Sequence, residues 1–288
     1  MSQVSNVLKA ASFSIVTNVA LVVVKWTAGH IGHSFALIAD AIESSSDVLS
    51  SVLVLLGAWY ASRPADKNHP YGHGRLEPLV TFVVVVFLVG SALVIAHESI
   101  QHIRTPHEMP KPFTLYVLGG IILWKELSFQ WVLRQGKAAH SSVLIADAWH
   151  HRSDAITSVS AFVGISIALY FGEGYESADD WASLFASAFI LYNSYHIFRP
   201  ALGEIMDEHR YEGLVDEIRK QALHVKGVLN TEKCHVRKAG TKYYIDLHAI
   251  VNGSLTVSEG HEIAHRLKDH LMGQLPHVAD VLVHIEPM

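Results

Sequence analysis

The chain has 288 residues, 50% hydrophobic and 17% charged, with a formal net charge of −5 and a mean hydropathy of +0.26. Ordinary soluble domains carry about a quarter charged residues, so this balance points to a membrane protein, and the acidic net charge argues against nucleic acid as a partner. The lone cysteine, Cys234, excludes an intramolecular disulfide and fits a reducing compartment.

Crossing a bilayer core takes about 20 mostly apolar residues. Six such segments are expected, at 10–29, 34–61, 76–100, 113–134, 141–171 and 177–199. The N-terminus, MSQVSNVLKAASFS, lacks a cleavable signal pattern, so the first segment is expected to remain as a helix. Orientation follows from lysine and arginine in short loops. Arg63, Lys67 and Arg75, then Arg134 and Lys137, with Lys9 and Arg199, share one side; the opposite connections are acidic (Glu173, Glu176, Asp179, Asp180) or carry few cations (Arg104, Lys111). Both termini are therefore expected in the cytoplasm. Residues 1–205 are expected to form a transmembrane transport domain and 206–288 a cytoplasmic metal-binding and dimerisation domain.

The second and fifth segments are the least apolar, and they are near-copies. Residues 33–51 read HSFALIADAIESSSDVLSS and residues 140–158 read HSSVLIADAWHHRSDAITS, identical at ten of nineteen positions with an offset of 107. In the expected orientation the copies run antiparallel and three helices apart, the signature of a three-plus-three inverted repeat whose halves meet at a midplane site.

Glu43 and Asp47 in the first copy, and His150 and Asp154 in the second, are each four residues apart and so share a helix face. Two facing helices thus offer three carboxylates and one imidazole, a sufficient set of ligands for a tetrahedral divalent cation such as Zn²⁺. A charged side chain at bilayer depth costs about 2.5–3.5 kcal/mol on insertion scales, so a functional reading is the default. Asp40 and Asp147 stand three residues before each pair, about 4.5 Å along the axis. They are candidates for attracting cations into the outer and inner vestibules; the alternative is a hydrogen-bond acceptor or packing role. His33 and His140 fit interfacial positions. Lys125 and Glu126 are expected to face neighbouring helices, and Asn18 and Lys25 to bond within the bundle and at the inner interface.

The loop ADKNHPYGHGR carries Asp66, His69 and His73 at a D-x-x-H-x-x-x-H spacing, a candidate three-ligand metal site with Pro70 and Gly72 permitting a tight backbone. The tail is expected as helix 212–224, strand 229–238, strand 241–251, helix 256–272 and strand 279–286. Lys238 to Thr241 supply a hairpin turn, and Thr256 with Glu259 a capping box. Asp246 with His248, and His284 with Glu286, alternate onto single strand faces. His261 and His265 lie one helical turn apart, so several donors can converge.

These features together (six helices, acid/His pairs on helices two and five, the RPADKNHPYGHG loop and an αββαβ tail ending VHIEP) resemble the cation diffusion facilitator family along nearly the whole chain. The resemblance implies an α-helical membrane protein of six transmembrane helices with a C-terminal cytoplasmic ferredoxin-like domain. It further implies a homodimeric divalent-cation/proton antiporter in a bacterial inner (cell) membrane, with Zn²⁺ as first expectation and Fe²⁺, Co²⁺, Cd²⁺, Ni²⁺ or Mn²⁺ as alternatives. The metal is substrate and structural ligand; no other cofactor is implied. Carried over by position, the transport site falls on Glu43, Asp47, His150 and Asp154, and the loop site on Asp66, His69 and His73. The cytoplasmic-domain site falls on His248, His261, His284 and Glu286, and a charge pair near the membrane surface on Arg75 and Asp207. Two departures stand out. Glu43 replaces the family's usual Asp or His, which keeps Zn²⁺ acceptable and favours Fe²⁺ or Mn²⁺ more. Glu232 replaces a tail histidine, with Cys234 and His235 nearby.

The mechanism expected is alternating access. The deprotonated site captures metal from the cytoplasm, and protons competing for His150 and a carboxylate release it outside. An intramembrane metalloenzyme would need an activated water and a general base, and no H-E-x-x-H or comparable motif is present, so enzymatic activity is not expected. A metal sensor that signals through the tail without transport is the other alternative.

Overall fold

The protein is described by a computed structural model covering residues 2–61, 63–105, 108–138, 142–172, 174–208, 210–240 and 242–288; the side chains of 2–15, 51, 54, 55, 58, 136, 138, 142–151, 153 and 156 lie outside that description. Six long helices come first: α1 (Ser2–Gly32), α2 (Phe35–Ala61), α3 (Leu76–Arg104), α4 (Phe113–Ala138), α5 (Ser142–Phe171) and α6 (Ala178–Ile205). The shortest has 26 residues, about 39 Å at 1.5 Å per residue. Each coincides with one expected segment, starting at most one residue inside it, and four of the six run on past one or both of its ends. Among the described residues, α3 is the one helix long and apolar enough to cross a membrane; the others carry polar groups inside their spans.

The chain divides into two compact units. The first, residues 1–53 and 84–196, packs α4 against α5 and α1 against α4. Small side chains let the helices approach. Ala28, Ala36, Leu37, Leu118, Ile121, Ala161 and Ile165 form one buried cluster, and Ala39, Val84, Leu88, Ala92, Ile95 and Ile190 another. A β-carbon on Gly164 would stand 2.8 Å from the Ala178 carbonyl oxygen, so a glycine is needed where α5 meets the start of α6. The chain turns from α1 into α2 at His33, whose φ is 53°. The α2 N-terminus is satisfied by buried Asp179, which accepts from Ser34 Oγ at 3.0 Å and from the Ala36 amide at 3.1 Å, a side-chain acceptor for otherwise orphaned helix amides. Burial is inverted relative to a soluble domain. Val86, Leu93, Leu123 and Phe185 are exposed while Lys25 and Lys125 are buried, as expected where lipid replaces water.

The second unit, residues 54–83 and 197–288, contains α7 (Glu212–Ala222), β1 (Asn230–Ala239), β2 (Lys242–Val251), α8 (Val257–Gln274) and β3 (Val278–Pro287). The sheet order is β1-β2-β3. β1 and β2 form an antiparallel hairpin with a register shift between Thr231 and Cys234; α8 is the crossover that lets β3 lie parallel to β2. Gly240 takes the positive φ of the turn, 64°. Val215, Ile218 and Ala222 of α7, and Ile263, Leu267 and Leu271 of α8, recur at helical spacing and bury against Val236, Ile245, Leu247, Ala249 and Val281. Both halves of the Thr256–Glu259 capping box are made. Because strand side chains alternate, burying 245, 247 and 249 turns Asp246 and His248 to the opposite face.

Candidate functional site

The first cluster lies in the long helices of the first unit. Serines in α2 satisfy their hydroxyls locally, Ser45 donating to the Ala41 carbonyl at 2.7 Å and Ser46 to Ile42 at 3.0 Å, so an apolar helix tolerates them. The acids have no such recourse. Glu43 is buried, its Oε2 without a hydrogen-bond partner among the described residues, and Asp47, Asp40 and Asp154 all lie within electrostatic range of it. Asp154 is buried on α5 and meets Lys125 Nζ of α4 at 3.2 Å. Asp47 is half-buried. The side chains of His150 and Asp147 lie outside the described residues; their backbone is part of α5.

Asp40 is 3% exposed and fully engaged. Lys25 Nζ stands 2.7 Å from its Oδ2, and Ser158 of α5 donates to both oxygens, at 3.1 and 2.9 Å. Lys25 also donates to Ser44 at 2.8 Å. This is the arrangement of an acceptor tying α1, α2 and α5 together, the alternative given above, rather than of an open vestibule carboxylate. Sequence reasoning missed both lysine partners. It expected Lys25 to bond within the bundle or at the inner interface, and Lys125 and Glu126 to face neighbouring helices; Lys125 does meet α5, whereas Glu126 accepts from Gln130 of its own helix at 3.0 Å. The usable signal was the isolation of each lysine in an apolar run, which obliges it to find an acid on another helix.

The loop cluster belongs to the second unit. Asp66 Oδ1 accepts from the amides of Asn68 at 2.9 Å and His69 at 2.7 Å, a local turn that D-x-x-H spacing permits. These bonds, led by the His69 amide, hold the Asp66 carboxyl below the usual carboxylate range. His69 Nδ1 lies 3.1 Å from Oδ1 and His73 Nε2 3.4 Å from Oδ2. All three residues offer ligand atoms within 4.8 Å of one another. His73 is buried, and its Nδ1 has no hydrogen-bond partner among the described residues.

In the tail, His248, His284 and Glu286 also bring ligand atoms within 4.8 Å. Parallel register sets His248 beside His284, with ring centroids 4.7 Å apart. His248 Nδ1 lies 2.6 Å from Glu286 Oε1 and 3.8 Å from Glu232 Oε2. Hydrogen bonds with Glu232 first, and His248 second, hold the Glu286 carboxyl below its ordinary range. Glu232 thus adjoins the cluster from β1. Cys234 does not: it is a core residue, and burial pushes its thiol up to about 11. His235 is exposed, on the register position facing Asp246, and Asp246 is taken by Arg237 at 3.0 Å. His261 is not brought into the cluster; its Nε2 lies 3.1 Å from that of His265 on α8. Arg75 donates to both Asp207 oxygens at 3.1 Å, the pair that the resemblance implied.

The profile described as the cation efflux transmembrane domain matches residues 11–206, and that described as the cation efflux protein, cytoplasmic domain, matches residues 211–288. "Manganese efflux system protein MneP" of Bacillus subtilis is 28% identical over 97% of this chain and 95% of its own length. "Uncharacterized transporter MJ0449" of Methanocaldococcus jannaschii is 31% identical over 96% of this chain and 97% of its own. "Cation-efflux pump FieF" of Yersinia enterocolitica is 27% identical over 99% and 94%.

Proposed function

Because the chain belongs to the cation diffusion facilitator family of divalent metal cation efflux proteins, we propose that it exports a divalent transition metal in exchange for protons, through a site made of Glu43, Asp47, His150 and Asp154. The supporting observation is Glu43 Oε2, buried in a long helix with no hydrogen-bond partner among the described residues, beside the carboxylates of Asp47 and Asp154. A buried polar atom left unsatisfied is costly unless something absent from the protein itself completes it. A divalent cation does so, and it offsets the mutual repulsion of the acids.

In the inward-open state the carboxylates take the metal from the cytoplasm. In the outward-open state protons compete for His150 and one carboxylate and release it. Three oxygens and one imidazole nitrogen discriminate weakly among first-row ions. The Irving–Williams order puts Zn²⁺ ahead of Mn²⁺ and Fe²⁺, while the hard oxygen of Glu43 favours Mn²⁺, the ion in the printed name of one relative. Residues 1–205 act as the transport domain with six spans and both termini inside a bacterial inner membrane. Residues 206–288 act as the cytoplasmic domain of a homodimer, with Asp66, His69 and His73 and, separately, His248, His284 and Glu286 holding metal outside the transport path.

Purified protein in proteoliposomes, given Zn²⁺, Mn²⁺ or Fe²⁺ with and without a pH gradient, tests this. Metal flux that accelerates with an opposing proton gradient is expected. Metal binding without flux would leave a sensor; flux indifferent to the gradient would remove the antiport. His150→Asp is expected to weaken the pH dependence and shift preference toward Mn²⁺.

A further inference from the structure

Among the described residues, Lys25 and Lys125 are the largest fully buried side chains, at 0% and 2% exposure. An ammonium taken out of water costs several kcal/mol unless an anion and hydrogen bonds compensate it. The two are compensated differently. Lys25 sits between Asp40 at 2.7 Å and Ser44 at 2.8 Å, with Ser158 completing Asp40 from a third helix. That is a closed structural pair. Lys125 reaches Asp154 at 3.2 Å, and the other carboxylates that act on it are Asp40 and Asp47. Its neighbour Glu126 is taken by Gln130. Lys125 is thus held by the very carboxylates assigned above to the metal.

We propose that Lys125 is a tethered surrogate cation of the transport site, whose ammonium holds Asp154 while the site is without metal and is displaced when a divalent ion loads. The inference rests on the assignment of Asp154 to that site. Its physical basis is charge and reach. The ammonium and the divalent ion compete for the same carboxylate oxygens, those of Asp154 first. An ammonium and a divalent cation cannot share Asp154 closely, because two such charges about 4 Å apart repel strongly even at an effective dielectric near 20. Lysine is a compact point charge on a flexible four-carbon stem, so the head swings aside while the stem stays packed in α4. The device weakens metal binding and favours release: each departing ion leaves Asp154 to the ammonium, so the returning carrier needs protons only for the remaining ligands.

The test uses the full chain carrying His73→Ala and His248→Ala, so that the loop and tail clusters do not contribute, and measures equilibrium Zn²⁺ binding in detergent and Zn²⁺ flux in proteoliposomes. Lys125→Met is expected to tighten binding about tenfold or more and to slow release. Lys125→Gln, which keeps a polar donor at this position but not the charge, should do the same, and Lys125→Arg should stay near the parent affinity. In Lys125→Ala, added propylammonium should restore the weaker affinity, which a purely structural lysine would not allow. Unchanged or weaker binding in folded Lys125→Met and Lys125→Gln, judged by gel filtration and thermal melting, overturns the proposal. Zn²⁺ binding that survives Asp154→Ala instead overturns the assignment of the transport site.

Discussion

Asp154 and Glu286 are both carboxylates held by a nitrogen, but their surroundings differ in kind. Asp154 is buried between long apolar helices and meets an ammonium at 3.2 Å. Glu286 lies on the open face of a sheet, sharing hydrogen bonds with Glu232 and with His248 at 2.6 Å. In the first setting every charge must be answered by another charge, so the site comes with its own cations. In the second, water stabilises the ions, and neutral imidazoles suffice as metal donors. The difference teaches where exchange belongs: a site whose charges are balanced by a displaceable lysine is suited to loading and unloading, and a histidine–carboxylate cluster to holding.

The comparison breaks most sharply in transport. Asp154→Ala is expected to reduce proteoliposome flux to background. His248→Ala should leave substantial flux but abolish the metal-induced rise in the melting temperature of the tail; equal flux losses in both would erase the distinction. Next in size is Lys25→Met, which strands buried Asp40 and should cost about 3–5 kcal/mol, read as a large fall in thermal stability. Cys234 tests the burial of the tail core. Its thiol, raised to about 11, should alkylate slowly at pH 8, with a rate still climbing toward about pH 11. For a raised pKa the stabilising contribution is complete below the ordinary thiol range and is lost as pH rises toward the folded value, so alkaline pH should loosen this domain. The smallest effect expected is that of Arg75→Ala. The pair with Asp207 is half exposed, and removing it should cost less than about 1 kcal/mol; a loss matching that of Lys25→Met would show that exposure does not govern these pairs.

Much of this was legible in one dimension. The six long helices, the hairpin at Gly240 and the Thr256–Glu259 capping box depend on spacing within a few turns, and they appear where periodicity put them. The Asp66, His69 and His73 cluster was equally readable, because its bonds close within eight residues. His261 shows the limit: its helical neighbour His265 was visible, but whether a helix face meets a strand face depends on how α8 crosses the sheet. Asp246 shares a strand face with His248, yet Arg237 on β1 claims it.

Composition, hydropathy and the duplicated acid-bearing helices determined by themselves that this chain is a membrane protein with candidate metal ligands in its second and fifth long helices. Helical and strand periodicities are local properties, and a single sequence carries them. Tertiary structure alone decided which cation pairs with which carboxylate: Lys25 with Asp40 and Lys125 with Asp154, while Glu43 Oε2 has no hydrogen bond among the described residues. Such pairings join residues 15 to 29 positions apart on different helices, and they follow from the cost of burying an uncompensated charge, which only the packed bundle imposes.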